Sequence, residues 1–163
     1  MSAVNSWRLP RPQSESDMCR IANWLSGELQ AGDIVLFDGV VGAGKSFLAR
    51  EIIYCAGFPR EQAVPSPTFT LVNEYEIDRV LWMHLDLYRL QSPDELLELG
   101  LGDEVGDAIF LIEWGASFAD TPAKPSITLS IEVADVDHRY VTITGECDRI
   151  KTLEKRYMDT QQG

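Results

Sequence analysis

Residues 39–46 of the chain read Gly39-Val40-Val41-Gly42-Ala43-Gly44-Lys45-Ser46, which fits the pattern G-x-x-x-x-G-K-[ST] in full. Glycines at these positions let the backbone come close to a ligand, so that successive N–H groups point inward and bind an anion. A short apolar run, residues 33–38, precedes the motif, and an apolar pattern of helical type follows it. The helix adds the positive end of its dipole. The motif therefore predicts a phosphate-binding loop, hereafter the P-loop, between a buried strand and a helix.

The last two residues of the P-loop carry the side chains that make the motif specific. A glycine turn that only packs a strand on a helix would explain the glycines but neither Lys45 nor Ser46. The Lys45 ammonium can reach the β- and γ-phosphates of a nucleotide, and the Ser46 hydroxyl suits Mg²⁺, which prefers hard oxygen ligands. We therefore expect a nucleotide and Mg²⁺ as cofactors.

Two acidic residues stand directly after apolar runs that are typical of strands. Asp86 follows residues 81–85, and Glu113 follows residues 109–112. Ligands of parallel α/β sheets lie at the carboxyl ends of strands, and nucleotide hydrolysis needs a carboxylate for Mg²⁺ and a group that orients water. The candidate catalytic residues are Lys45, Asp86 and Glu113, and the candidate metal ligands are Ser46, Asp86 and Glu113. Either acid can be the direct ligand.

The remaining pattern predicts an α/β chain with one domain. We expect a single-domain P-loop NTPase fold whose mixed parallel and antiparallel central sheet is flanked by helices. Residues 1–13 form an extended lead-in, residues 14–158 the domain, and residues 159–163 a flexible tail. The predicted helices are 15–30, 46–55, 92–99 and 149–158, and the predicted strands are 33–38, 70–77, 80–86, 108–113, 127–133 and 139–144, with 70–77 and 80–86 as an antiparallel pair.

Composition limits the partners and the compartment. Fourteen Lys and Arg residues face 26 Asp and Glu residues, so the net charge is −12, which disfavours strong direct binding of nucleic acid. The same acidity equally serves solubility. Three widely spaced cysteines, Cys19, Cys55 and Cys147, favour reduced thiols over a disulfide framework or a zinc site. Without a signal peptide or a membrane-spanning run, we expect a cytoplasmic protein.

Four further features leave alternatives open. Ser66 and Thr68 lie in a proline-stiffened segment, the proline loop (residues 64–68), and either sense the γ-phosphate or cap the loop. His84 in an apolar strand is typical of a core histidine rather than a ligand. The chain has no Asn-Lys-x-Asp segment that would read guanine, which favours ATP over GTP. Its arginines Arg79, Arg89, Arg139 and Arg149 are scattered, unlike the lid of a small-molecule kinase.

Five segments in this order and spacing resemble one family. They are GAGKS (42–46), SPTFTLVNEY (66–75), HLDLYRL (84–90), DELLELG (94–100) and IEW (112–114). Together they resemble the TsaE (formerly YjeE) family, bacterial ATPases needed to make threonylcarbamoyladenosine in tRNA, over roughly residues 14–145. The second and third segments are specific to that family rather than to P-loop proteins at large.

The resemblance implies roles for individual residues. It assigns Glu113 to the metal and Asp86 to the orientation of water, although the two roles can be reversed, and it makes residues 66–69 a nucleotide-responsive loop. Trp114 matches a residue near the nucleotide, and Arg139 matches an arginine of a late strand that approaches ATP. The candidate cofactor-binding residues are Gly39, Gly42, Ala43, Gly44, Lys45, Ser46, Phe47, Thr68, Trp114 and Arg139.

The resemblance also implies a partner. TsaE proteins are weak ATPases alone and act on a TsaB–TsaD heterodimer, which transfers the threonylcarbamoyl group. Val40, Ser46 and Asp17 stand where the family commonly has Asp, Thr and Thr. Ser46 keeps the hydroxyl, whereas the contacts made at Val40 and Asp17 stay open. The alternatives are a small-molecule kinase and a nucleotide-gated binding module without useful turnover.

Overall fold

A computed structural model describes residues 3–87, 94–98, 106–113 and 125–163 of the chain. Its elements, in chain order, are β1 (Val4–Arg8), α1 (Glu15–Glu28), β2 (Ile34–Asp38), α2 (Lys45–Ala56), β3 (Val72–Ile77), β4 (Val80–Asp86), α3 (Asp94–Glu98), β5 (Ala108–Glu113), β6 (Ile127–Val133), β7 (Arg139–Glu146) and α4 (Cys147–Thr160). Within these ranges, none of the helices combines the length and the apolar character that crossing a membrane requires.

The seven strands form one sheet in the order β1-β7-β6-β2-β5-β4-β3. The four central strands, β6, β2, β5 and β4, run parallel, while β7 and β1 on one side and β3 on the other pair antiparallel. This confirms the predicted α/β class with a mixed sheet, and also the antiparallel pair formed by β3 and β4. The register aligns Phe37 with Glu113 and Glu113 with Asp86, so both acids end their strands level with the P-loop strand.

The central strands are buried on both faces, as expected for parallel strands covered on two sides. All six residues of β5 are buried. Val35 and Phe37 of β2 belong to the larger hydrophobic cluster, which also includes apolar residues of α1, α2 and α4, whereas Ile34 packs with Phe110 and Leu85 in a second cluster. This alternation follows the two-residue period of a strand. The rigid centre of the sheet therefore carries the carboxyl ends at which the P-loop, Asp86 and Glu113 are placed.

The start of α1 is fixed by a network around Asp17. Ser14 caps the helix and forms a capping box with Asp17. The guanidinium of Arg11 donates to the Asp17 carboxylate at 2.7 and 3.0 Å, and that of Arg20 donates at 2.9 Å. The Arg11 hydrogen bond first, and then those of Ser14, hold the pKa of Asp17 well below its ordinary value of 3.8. The network fixes the position of the first turn of α1.

Two of the predicted boundaries at the chain ends are corrected. We expected residues 1–13 to be a lead-in outside the domain, but Val4–Arg8 is an edge strand that pairs with β7, and Trp7 is buried. β1 is an edge strand that pairs on one side only, and two prolines follow it in the sequence. Prolines are also typical of linkers, so the sequence alone did not predict this strand. The C-terminal helix starts at Cys147 and continues to Thr160, so it includes two residues of the predicted tail. Residues 92, 93 and 99 of the predicted helix 92–99 lie outside the described residues.

Candidate functional site

The P-loop follows β2 and leads directly into α2. Gly44 has φ +108°, stands at the N-cap of α2 and has no side chain with which to cap the helix, so the first amides of α2 are not occupied by such a cap. Gly39 is required for a different reason: a Cβ atom there would lie 2.6 Å from the carbonyl oxygen of Ile131. The P-loop is therefore held against β6 at one end and opens into a helix N-terminus at the other.

We predict that Gly39→Ala lowers the free energy of unfolding by about 1–3 kcal/mol, because the added methyl group has to displace the Ile131 backbone. Urea denaturation measures this change. Gly27→Ala in α1 is the matched control, because a Cβ atom at Gly27 meets nothing within 4 Å. Replacing this helical glycine by alanine should raise the free energy of unfolding by about 0.5–1 kcal/mol. Equal stability of Gly39→Ala and the wild type would contradict the close approach of the P-loop to β6.

Lys45 is buried at the first position of α2, with 5% of its surface exposed. Its ammonium donates hydrogen bonds to the backbone carbonyls of Gly39 and, at 3.4 Å, of Val40. Burial lowers the pKa of Lys45 from its ordinary value of 10.5, and the negative charges of Glu113, Asp38 and Asp86 act against this shift. The P-loop therefore folds around a cation whose field is poorly screened by water.

The acids at the strand ends lie opposite this cation. The Ser46 hydroxyl donates to Oε1 of Glu113 at 2.5 Å, and the Thr68 hydroxyl donates to Oδ2 of Asp86 at 3.3 Å. Glu113 and Asp86 have only 1% and 5% of their surfaces exposed. Lys45, Ser46, Phe47, Thr68, Asp86 and Glu113 all line one cavity of about 470 Å³, which we call the acid cavity. The structure thus brings together every catalytic and metal-ligating residue that the sequence predicted.

A second cavity of about 520 Å³ adjoins the acid cavity, and Gly44 and Phe47 line both. Its walls come from the start of α1, including Ser14 and Met18, and from the β6–β7 turn, including Val136 and Asp137. The two volumes lie within the range of small-molecule sites. The local residue pattern did not predict the α1 side of this second cavity, because residues 13–18 approach the P-loop only in the folded chain. The resemblance pointed to this region through position 17 alone and left the contacts of Asp17 open.

Arg139 lines the second cavity and also holds the P-loop. Its Nε donates to the Ala43 carbonyl at 2.9 Å, and its Nη2 lies 3.4 Å from the Gly42 carbonyl. Its Nη1 donates at 3.0 Å to the carbonyls of Asp135 and His138 in the β6–β7 turn. The guanidinium therefore joins this turn to the P-loop. Trp114, the other candidate that the resemblance supplied, lies outside the described residues.

The acid cavity offers oxygen ligands of the type that Mg²⁺ takes. No three His, Cys, Asp or Glu side chains within the described ranges are grouped as a metal-binding cluster. Mg²⁺ does not need such a cage, because proteins usually supply one or two carboxylates and leave other positions to water and phosphates. Glu113 with Ser46, and Asp86 beside them, match that donor set. The site residues fit Mg²⁺ and not the nitrogen and sulfur environment that zinc favours.

His84 contacts a candidate site residue, which the sequence did not predict. It is 1% exposed, as a core histidine would be, but its Nε2 lies 2.6 Å from Oε2 of Glu113. The signal that was available is its spacing: His84 stands two residues before Asp86 on β4, so both side chains emerge on the same face of the sheet.

Comparisons of the sequence with known proteins point to one family. Residues 12–141 match the sequence model of the family described as "Threonylcarbamoyl adenosine biosynthesis protein TsaE". Among relatives named tRNA threonylcarbamoyladenosine biosynthesis protein TsaE, the chain is 37% identical to that of Rickettsia conorii over 131 residues (80% of this chain, 74% of the relative). It is 34% identical to that of Aquifex aeolicus over 131 residues (80% and 91%).

The fold also matches a solved structure. The crystal structure of YdiB from Bacillus subtilis superposes with a TM-score of 0.70, covering 99% of this chain and 98% of that one at 23% sequence identity. That similarity supports the fold alone, whereas the family model and the relatives identify the family. This chain belongs to the TsaE family of threonylcarbamoyladenosine biosynthesis proteins.

Proposed function

We propose that the chain binds ATP with Mg²⁺ and hydrolyses the ATP in order to drive a TsaB–TsaD heterodimer through its cycle, without transferring the threonylcarbamoyl group itself. The observation that carries the ATPase proposal is the convergence of Lys45, Ser46, Asp86 and Glu113 in one cavity at the carboxyl ends of parallel strands. A cation and an anion-binding helix N-terminus on one side and two carboxylates on the other match a metal–triphosphate complex.

The two adjoining cavities accommodate the two parts of a nucleotide. In our proposal the phosphates lie in the acid cavity, where the amides of residues 42–46 and the Lys45 ammonium bind their oxygens, while the nucleoside lies in the second cavity. On binding, Lys45 exchanges the Gly39 and Val40 carbonyls for phosphate oxygens. The exchange replaces bonds to neutral acceptors by stronger bonds between charged groups.

The two acids then have separate tasks. Ser46 and Glu113 would hold Mg²⁺, which, when bound, neutralises negative charge on the β- and γ-phosphate oxygens. Asp86 accepts a hydrogen bond from Thr68 of the proline loop, and in the proposal its other acceptor positions orient the attacking water. Under this assignment the proline loop responds to the nucleotide, because Thr68 contacts the carboxylate that orients the water for attack on the γ-phosphate.

The surface of the chain favours binding to partner proteins over direct binding to tRNA. The net charge of −12 opposes strong binding of a phosphate backbone. Three large apolar side chains, Val40, Val41 and Phe69, are 65%, 78% and 82% exposed, and they stand on the P-loop and directly after the proline loop. Exposed apolar side chains beside a site are typical of protein contacts.

The test of this function is phosphate release from ATP by the purified chain, measured with and without a purified TsaB–TsaD pair. We expect slow turnover alone and an increase of about tenfold or more with the pair, equivalent to about 1.4 kcal/mol in the barrier. The pair without the chain is the control. No nucleotide binding in an equilibrium titration would refute the proposal, and a phosphorylated small molecule in place of free phosphate would favour a kinase.

A further inference from the structure

The carboxylate of Glu113 is bound on both sides. Its Oε1 accepts the Ser46 hydroxyl at 2.5 Å, and its Oε2 lies 2.6 Å from Nε2 of His84. Both Glu113 and His84 are 99% buried, so neither depends on bulk water for its solvation. A buried carboxylate needs hydrogen-bond donors to remain charged. The donors that the described structure provides are one hydroxyl from the P-loop and one imidazole from β4.

The environment of the imidazole decides which of its nitrogens carries the proton. Nδ1 of His84 is buried and has no hydrogen-bond partner in the described part of the chain. A proton on Nδ1 alone would leave a buried N–H unsatisfied and would set the lone pair of Nε2 against the carboxylate. A proton on Nε2 satisfies the carboxylate and leaves a bare acceptor, so the N–H must be at Nε2 and must donate to Oε2.

This bond restricts the direction of the second carboxylate oxygen. A glutamate side chain has three rotatable bonds, and ordering it costs conformational entropy. With Oε2 tied to His84, Oε1 points to Ser46, beside Lys45 at the start of α2. The oxygen that faces the P-loop is therefore aligned before any metal arrives. Partners of this kind orient metal ligands, and their loss typically weakens metal binding or activity about 10- to 100-fold.

We propose that His84 is a positioning residue for the metal site: its Nε2–H holds Oε2 of Glu113, so that Oε1 is presented with the Ser46 hydroxyl to Mg²⁺. This role rests on the proposed function, since it presumes a metal–nucleotide complex in the acid cavity. The other reading, a histidine that only fills the core between β4 and β5, predicts an effect on stability and none on metal affinity.

Two substitutions separate these readings. His84→Gln keeps an N–H donor at about the position of Nε2, whereas His84→Leu has a similar size and no donor. The affinity for Mn²⁺ in the presence of ADP, measured by electron paramagnetic resonance, is the readout, with urea denaturation of each variant alongside. We expect His84→Leu to weaken Mn²⁺ binding about 10- to 100-fold and His84→Gln to retain most of the affinity.

A second measurement needs no metal and no variant at position 84. The chain has two histidines, so His138→Gln leaves His84 as the only imidazole in a nitrogen NMR spectrum. We expect Nε2 to carry a proton, as the hydrogen bond to Oε2 of Glu113 requires. An Nε2 without a proton overturns the proposal, as does unchanged Mn²⁺ affinity in His84→Leu or an equal loss in His84→Gln. If the wild type does not bind Mn²⁺ with nucleotide, the proposed function fails together with the role of His84. If the wild type binds Mn²⁺ and only the results for His84 fail, the proposed function stands.

Discussion

Replacing Lys45 with methionine is expected to lower the affinity for ATP by about 100-fold or more, because two charge-assisted hydrogen bonds to phosphate, each worth about 1.5–3 kcal/mol, are lost together. Methionine keeps most of the volume of the lysine stem, so the buried first turn of α2 remains packed. Equilibrium titration with a fluorescent ATP analogue measures the loss. An unchanged affinity would remove the basis of the proposed phosphate site.

The same substitution also measures how the buried ammonium affects the free energy of unfolding, which is separate from its effect on ATP affinity. Burial lowers the pKa of Lys45, so the folded state binds this proton less tightly than the unfolded state does. The stability of the wild type relative to Lys45→Met should therefore rise as pH increases from the lowered folded pKa towards the ordinary value of 10.5, and should stay flat below that window.

Urea denaturation across the alkaline range, without nucleotide, checks this second result. Lys151→Met is the matched control, because Lys151 is exposed on α4, far along the chain from the P-loop. The control should leave both the ATP affinity and the pH profile of stability as they are in the wild type. A Lys45→Met protein that binds ATP weakly because it is partly unfolded would show a lower urea midpoint at neutral pH, which distinguishes it from the expected binding defect.

Local pattern was sufficient to predict the parts of the site that the chain forms from contiguous residues. Eight consecutive residues identify the P-loop, and Asp86 and Glu113 each follow an apolar run. Parallel pairing of β4 and β5 then places Asp86 beside Glu113, and the prediction of this proximity needs only the direction of the two strands. These features could be predicted because side-chain chemistry and strand direction fix them.

Contacts between distant segments could not be predicted in the same way. The edge strand β1 pairs with β7 more than 130 positions along the chain, and nothing in the polar sequence of β1 encodes that partner. Arg139 was expected to approach ATP, but its hydrogen bonds to the Gly42 and Ala43 carbonyls depend on the turn between β6 and β7. The bond from His84 to Glu113 likewise depends on the register of two strands.

Substitution of the two acids should separate hydrolysis from metal binding. Asp86→Asn is expected to keep the affinity for ATP and to slow hydrolysis about 10²- to 10⁴-fold, because an amide is a much weaker base for orienting water. Glu113→Gln is expected to raise the Mg²⁺ concentration needed for half-maximal turnover, because the carboxylate oxygen that meets Ser46 loses its charge. Single-turnover hydrolysis across a Mg²⁺ titration measures both effects.

The assignment rests on which acid the P-loop touches. Glu113 ends the strand next to β2 and bonds to Ser46, whereas Asp86 lies one strand further and bonds to the proline loop. If Asp86→Asn shifts the Mg²⁺ requirement and Glu113→Gln does not, the two roles are reversed. Glu132→Gln on the exposed end of β6 is the control and should change neither constant. A Glu113→Gln protein that hydrolyses no ATP at any Mg²⁺ concentration and still supports repeated rounds of tRNA modification would instead show that turnover is dispensable, as a nucleotide-gated binding module requires.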